Sequence, residues 1–82
     1  MNRARIDLVV NADFMLDGSI VPKGFIWPDN EKFYEIQRVV NVCRAASLKA
    51  GGAGIRYTCR CCGKTIQLFN EEGKWFMERN NY

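Results

Sequence analysis

Four cysteines, Cys43, Cys59, Cys61 and Cys62, are the side chains with the most latent chemistry in this sequence. A structural zinc ion needs four thiolate or imidazole ligands at the corners of a tetrahedron, usually from two knuckles of the C-x2-C type. Here the spacing is C-x15-C-x-C-C, and the chain contains no histidine. If the segment is a strand, Cys59 and Cys61 point to one face and Cys62 to the other, so the three thiols do not meet on one ion. Buried cysteine packs as a small hydrophobe. Packing is therefore the expected role of the cluster, no cofactor is expected, and a zinc site of Cys43, Cys59, Cys61 and Cys62 is the weaker alternative.

Catalysis has little to work with. The lack of histidine removes the commonest general base. No G-x-S-x-G elbow is present, and Asp7, Asp13 and Asp17 alternate with apolar residues as the solvated face of a strand does. No enzymatic activity is expected.

The stretch "LKAGGAGIRYTCRCCGK", residues 48–64, also suggests anion binding, because glycines let backbone N–H groups approach a phosphate. It lacks the G-x-x-x-x-G-K-[ST] spacing, however, and runs into a β-like segment where a phosphate loop would start a helix. A plain connecting loop is expected, with a looser anion contact through Lys49, the loop amides and Arg56 as the alternative. The chain carries 12 Lys and Arg against 9 Asp and Glu, for a net charge of +3. That mild excess is concentrated: Arg38, Arg44, Lys49, Arg56, Arg60 and Lys64 run through the middle, with no acidic residue between Glu35 and Glu71.

The elements that position these residues come from an 82-residue chain, 48% hydrophobic, expected to form a single domain over residues 1–82 with a packed core. A domain of this size buries only about 60–65% of the surface its unfolded chain exposes. Acidic residues interrupt the N-terminal apolar run, and no run reaches the ~18 apolar residues of a membrane span, so a cytoplasmic chain with free thiols and no membrane partner is expected.

Ile6, Leu8, Val10, Ala12, Phe14 and Leu16 alternate with mostly polar residues, the period of a half-buried strand. Asp17-Gly18 predicts a tight hairpin turn. In the returning segment, Pro22 has no N–H for a ladder and belongs at an edge or a break. "WPDN" marks a second turn. Residues 31–50 are ambiguous. Phe33, Ile36, Val40 and Cys43 make a helical stripe, whereas Tyr34, Ile36, Val40 and Val42 share a strand face broken at Arg38. The β-branched cluster "VVNV" favours the strand, with a bulge near Arg38. The expected fold is thus mainly β, a small antiparallel barrel or strongly curved sheet, with an α+β domain carrying one helix around 31–50 as the alternative.

In the last third, a Gly63-Lys64 turn sets Cys61 opposite Ile66 and Cys59 opposite Leu68, and a Glu72-Gly73 turn sets Phe69 opposite Phe76. One face collects Tyr57, Cys59, Cys61, Ile66, Leu68, Trp75 and Met77, the expected core. The other collects Arg56, Thr58, Arg60, Cys62, Gln67, Phe69, Phe76 and Glu78. Aromatic rings beside arginines on a sheet match the way single-stranded nucleic acid is held, by stacking and charge neutralisation. Ordinary internal packing of both rings competes with that reading.

The segments "DGSIVPKGFIW", "AASLKAGGAGIRY" and "LFNEEGKWF" together resemble a group of small bacterial proteins of the clostridial type with no assigned activity. The resemblance implies a stand-alone domain and brings no catalytic or binding residues with it; "CRCC" is not part of the shared pattern. The sequence therefore leads us to expect a non-catalytic binding module. Its first expected partner is nucleic acid, with Lys49, Arg56, Arg60 and Lys64 on phosphates and Phe69 or Phe76 stacking; a protein partner or self-association through the same face is the alternative.

Overall fold

The computed structural model describes residues 3–44 and 54–80, which form six strands: β1 (Arg3–Phe14), β2 (Ile20–Ile26), β3 (Phe33–Arg44), β4 (Ile55–Cys61), β5 (Lys64–Glu71) and β6 (Lys74–Asn80). Each strand pairs antiparallel with the next, and β6 pairs with β1, so the sheet closes into a barrel. This is the small antiparallel barrel expected from the sequence. The helical alternative fails over 33–44, which is strand; residues 45–50 lie outside the described residues. Among the described residues no helix is long and apolar enough to cross a membrane.

Left-handed backbone at two turns sets the register of the last three strands. Cys62 and Gly63 have φ of 55° and 75°, and Glu72 and Gly73 have φ of 54° and 79°. Two consecutive positive φ values make the type I′ turn, whose twist matches that of the flanking strands. The second turn pairs Glu71 with Lys74 and Phe69 with Phe76, as expected. The first turn is Cys62-Gly63, not Gly63-Lys64, so Cys61 faces Lys64 and Cys59 faces Ile66. That is a slip of two residues from the expected register. Side chains alternate with period two, so the slip leaves every face assignment within the strands intact.

The β1–β2 connection is longer than a two-residue turn. The chain leaves the ladder at Phe14, and Met15 N–H donates to Ser19 O at 2.8 Å while Gly18 takes φ of 90°. Asp17 Oδ1 accepts from both the N–H and the hydroxyl of Ser19, which holds its carboxyl below the usual range. Leu16, which continues the apolar alternation in the sequence, is instead fully exposed in this loop. The "WPDN" turn does join β2 to β3, through Glu31 N–H to Trp27 O at 2.7 Å and Trp27 N–H to Lys32 O at 2.9 Å.

Bulges account for the ambiguous segment. The β3–β4 register shifts between Ile36 and Arg38 and again between Val39 and Asn41. Each shift inserts one extra residue, so the inner-side positions become Ile36, Val39 and Val42, a spacing of three, with the first two in or against the core and Val42, opposite Tyr57, left over half exposed. A period between 2.0 and 3.6 is why the segment supports both readings. A third shift falls where Asn11 faces Gly24 but Ala12 faces Pro22. The barrel has no edge for Pro22, so the proline occupies the break, fully buried. On the N-terminal side of Pro22, β2 and β3 separate; they pair at only Gly24–Glu35, Phe25–Tyr34 and Ile26–Phe33.

The core is Leu8, Phe25, Ile36, Tyr57, Cys59, Cys61 and Leu68, with Ile6, Val10, Val39, Ile66, Trp75 and Met77 packed against it. Tyr57 and Trp75 meet at 5.1 Å between ring centroids. The turn chemistry carries a test by urea denaturation. Gly73→Ala places a Cβ on a residue at φ of 79° and should cost about 1–2 kcal/mol. Glu72→Asn, which supplies the preferred Asn-Gly pair, should raise stability. Equal and small effects from both changes would contradict the assigned turn.

Candidate functional site

The four thiols do not come together. Cys59, wholly buried on the inner face, donates to Tyr57 O at 3.7 Å, and burial pushes its pKa up to about 11. Cys61 is also inside; burial first, then its hydrogen bond with Cys62 and the neighbouring thiols, push it up to about 11. Cys43 lies beside Arg56, whose Nη2 donates to its sulfur at 3.2 Å. Among the described residues no group of three or more His, Cys, Asp or Glu side chains could hold a metal ion, so the Cys43, Cys59, Cys61 and Cys62 alternative is set aside. One expectation is corrected further. Cys62 does not point away from Cys61: its positive φ turns the side chain back, and the two sulfurs lie 3.7 Å apart.

The expected cationic and aromatic face is present in part. Arg56, Phe69, Phe76 and Asp7 follow one another across β4, β5, β6 and β1 on the outer surface. Phe69 and Phe76 stack at 5.4 Å with 12° between their planes. Both are buried, at 6% and 0% exposure. The Arg5 guanidinium lies 4.0 Å from the Phe76 ring centre and is held there by Asp7, 2.9 Å from Arg5 Nε. The rings are therefore used internally, and the expectation that Phe69 or Phe76 is a stacking platform for bases is corrected. Arg56 is half-buried, and its Nε has no hydrogen-bond partner.

The remaining cations separate. Lys64 sits opposite Cys61 at the mouth of the barrel, so it does not join the outer face. Lys49 lies outside the described residues. Arg60 is on the outer face, with Nη1 donating to Thr65 Oγ1 at 2.8 Å and Nη2 to Gly63 O at 3.2 Å. Directly across the ladder from it stands Arg38. Among the described residues no carboxylate forms an ion pair with either arginine. Around them lie Asn41, Thr58, Thr65 and Gln67, which makes the outer face of β3–β5 polar as well as cationic. The sequence placed Arg38 only in the central basic run; its pairing with Arg60 depends on the first β3 bulge.

Two hollows open on the inner side of the sheet, away from this face. One, of about 400 Å³, opens where β2 and β3 part and is lined by Ile20, Val21, Val39, Val42, Ile55 and Tyr57. The other, of about 330 Å³, lies at the opposite end of the β2–β3 seam, among Phe25, Trp27, Tyr34, Cys61, Cys62 and Met77. Periodicity in the sequence does not reveal either one, because strand separation and turn conformation create them. Comparison with known proteins finds no matching family model, no similar curated protein and no similar solved structure.

The buried thiols predict an alkaline weakness. An ordinary cysteine ionises near 9.0, whereas Cys59 and Cys61 hold their protons in the folded chain to about 11. Between those values the unfolded chain binds fewer protons than the folded one, so stability falls as pH rises from about 9 to about 11. The urea midpoint should decline across that window, and Cys59→Ala should flatten the decline. An unchanged slope in the variant would count against this assignment.

Proposed function

We propose that this barrel is a non-catalytic module that binds the phosphate backbone of nucleic acid through the outer face of β3–β5. The observation that carries the reading is the opposed pair Arg38 and Arg60, with no carboxylate partner among the described residues. Side chains directly opposite on an antiparallel pair stand roughly 5 Å apart at Cβ, and like charges there are destabilising. A phosphate placed between two guanidiniums reverses the sign of that interaction, and arginine's planar fork suits its oxygens. The polar neighbours Asn41, Thr58, Thr65 and Gln67 offer further hydrogen bonds to a backbone. With Phe69 and Phe76 buried, base stacking has no part in the mode of binding, and weak sequence preference follows.

Titration of labelled single-stranded RNA and DNA by fluorescence anisotropy at several salt concentrations tests this. Binding should weaken linearly on a log–log plot against salt. Arg38→Gln should reduce affinity for every sequence alike and lower the magnitude of the salt slope by about 1. Lys23→Gln, which removes a cation already facing Asp13 at 3.7 Å, should change little. No binding at low salt, or equal effects of the two substitutions, would rule the reading out.

A second reading, engagement of a protein partner, is favoured by a different surface from the one first expected. Val42, at 54% exposure, lines the cleft at the β2–β3 seam, and Phe14, at 78%, pairs with Ile20 on its rim. Exposed apolar side chains around a concave apolar site are a feature of protein contacts.

A further inference from the structure

The β4–β5 hairpin ends in a pair of adjacent thiols with an unusual disposition. Cys61 closes β4 with 3% of its surface exposed, and Cys62 opens the turn with its side chain exposed. In a regular strand their sulfurs would lie on opposite faces. The φ of 55° at Cys62 brings them to 3.7 Å, and Cys61 Sγ also lies 3.3 Å from Glu35 O, which accepts from it.

A disulfide fits this pair poorly. Neighbouring Cα atoms across a trans peptide are about 3.8 Å apart, below the roughly 4.4 Å at which disulfide geometry begins. The sulfur separation matches something else. Sulfurs 3.7 Å apart can both bond one soft centre, since two bonds of about 2.3 Å reach across that gap. Soft thiol ligands select soft ions. With no cluster of three ligating side chains among the described residues, such a centre must bring its own remaining ligand. Beside the sulfurs, a hollow of about 330 Å³ lined by Phe25, Trp27, Tyr34, Ile66 and Met77 offers an apolar, aromatic place for that ligand.

We propose that Cys61 and Cys62 form a dithiol clamp for a trivalent organoarsenic compound whose aryl or alkyl group occupies this hollow. Trivalent arsenic makes three bonds: two to the sulfurs and one to the carbon it already carries. The step is a ligand exchange without redox change. An organoarsonous acid, R–As(OH)2, meets two thiols; two As–S bonds form, two As–O bonds break, and each departing hydroxide takes one thiol proton and leaves as water. This inference is independent of the nucleic-acid reading and uses the opposite surface of β4 and β5.

Phenylarsine oxide, which hydrates to the arsonous acid, is the probe. Native mass spectrometry should show one adduct per chain, with two of the four cysteines then protected from iodoacetamide. Cys61 and Cys62 should be the protected pair by peptide mapping. Excess monothiol should leave the adduct in place, whereas a dithiol competitor should remove it. Trp27 fluorescence should change on binding. Cys62→Ser, an exposed position whose fold can be verified by circular dichroism, should abolish the adduct's resistance to monothiol; Cys43→Ser should not. Phenylarsine oxide should bind at least tenfold more tightly than inorganic arsenite. Protection of a different pair, resistance that survives Cys62→Ser, or equal affinity for the two arsenicals would overturn the proposal.

Discussion

The ladder between β1 and β6 is the constraint on which the barrel depends. It joins Leu8 to Trp75 and Ile6 to Met77, residues from the two ends of the described chain. A small domain has little apolar surface to hide, so each inward residue must find neighbours on several strands. Leu8 and Met77 reach the core only because the first and last strands close against each other. The same ladder brings Arg5 and Asp7 beside Phe76, which seals an aromatic pair on the outside of the sheet. Closure also removes the sheet edges that would otherwise recruit another chain. Contacts spanning so much sequence carry the loop-closure entropy that slows β-barrel folding.

Where closure is weakest, the surface becomes interesting. Pro22 offers no N–H, and the bulges in β3 curl that strand away, so β2 and β3 hold together over three residue pairs. The seam leaves an apolar cleft at one end. At the other end, the β2–β3 and β4–β5 hairpins come together around a second hollow that contains the adjacent thiols. Departures from the ideal ladder thus create each concave site, in line with the tendency of bulges to lie near functional positions.

The outer face shows the same economy of side chains. Rings that look like a binding platform when placed on a flat sheet become packing elements once Arg5 folds over them. What stays available is charge: Arg38 and Arg60 face each other across β3 and β4 amid polar neighbours. Cation–π contact gives Arg5 and Phe76 an internal role, while the opposed arginines lack a countercharge among the described residues.

Period-two alternation in residues 6–14 and 55–78, together with Gly63 and Gly73, was enough to read a β fold and to sort inner from outer residues on its last three strands. Those signals are local, and a register slip of two residues does not disturb them, which is why the core of Tyr57, Cys59, Cys61 and Leu68 was legible despite the wrong first turn. Burial of Phe69 and Phe76 was one of the readings the sequence left open, but two features were not legible: the approach of the Cys61 and Cys62 sulfurs and the opposition of Arg38 and Arg60. Each arises from a long-range ladder, a left-handed turn residue or a bulge, whose energies depend on partners distant in the chain. Only the closed barrel brings those partners together.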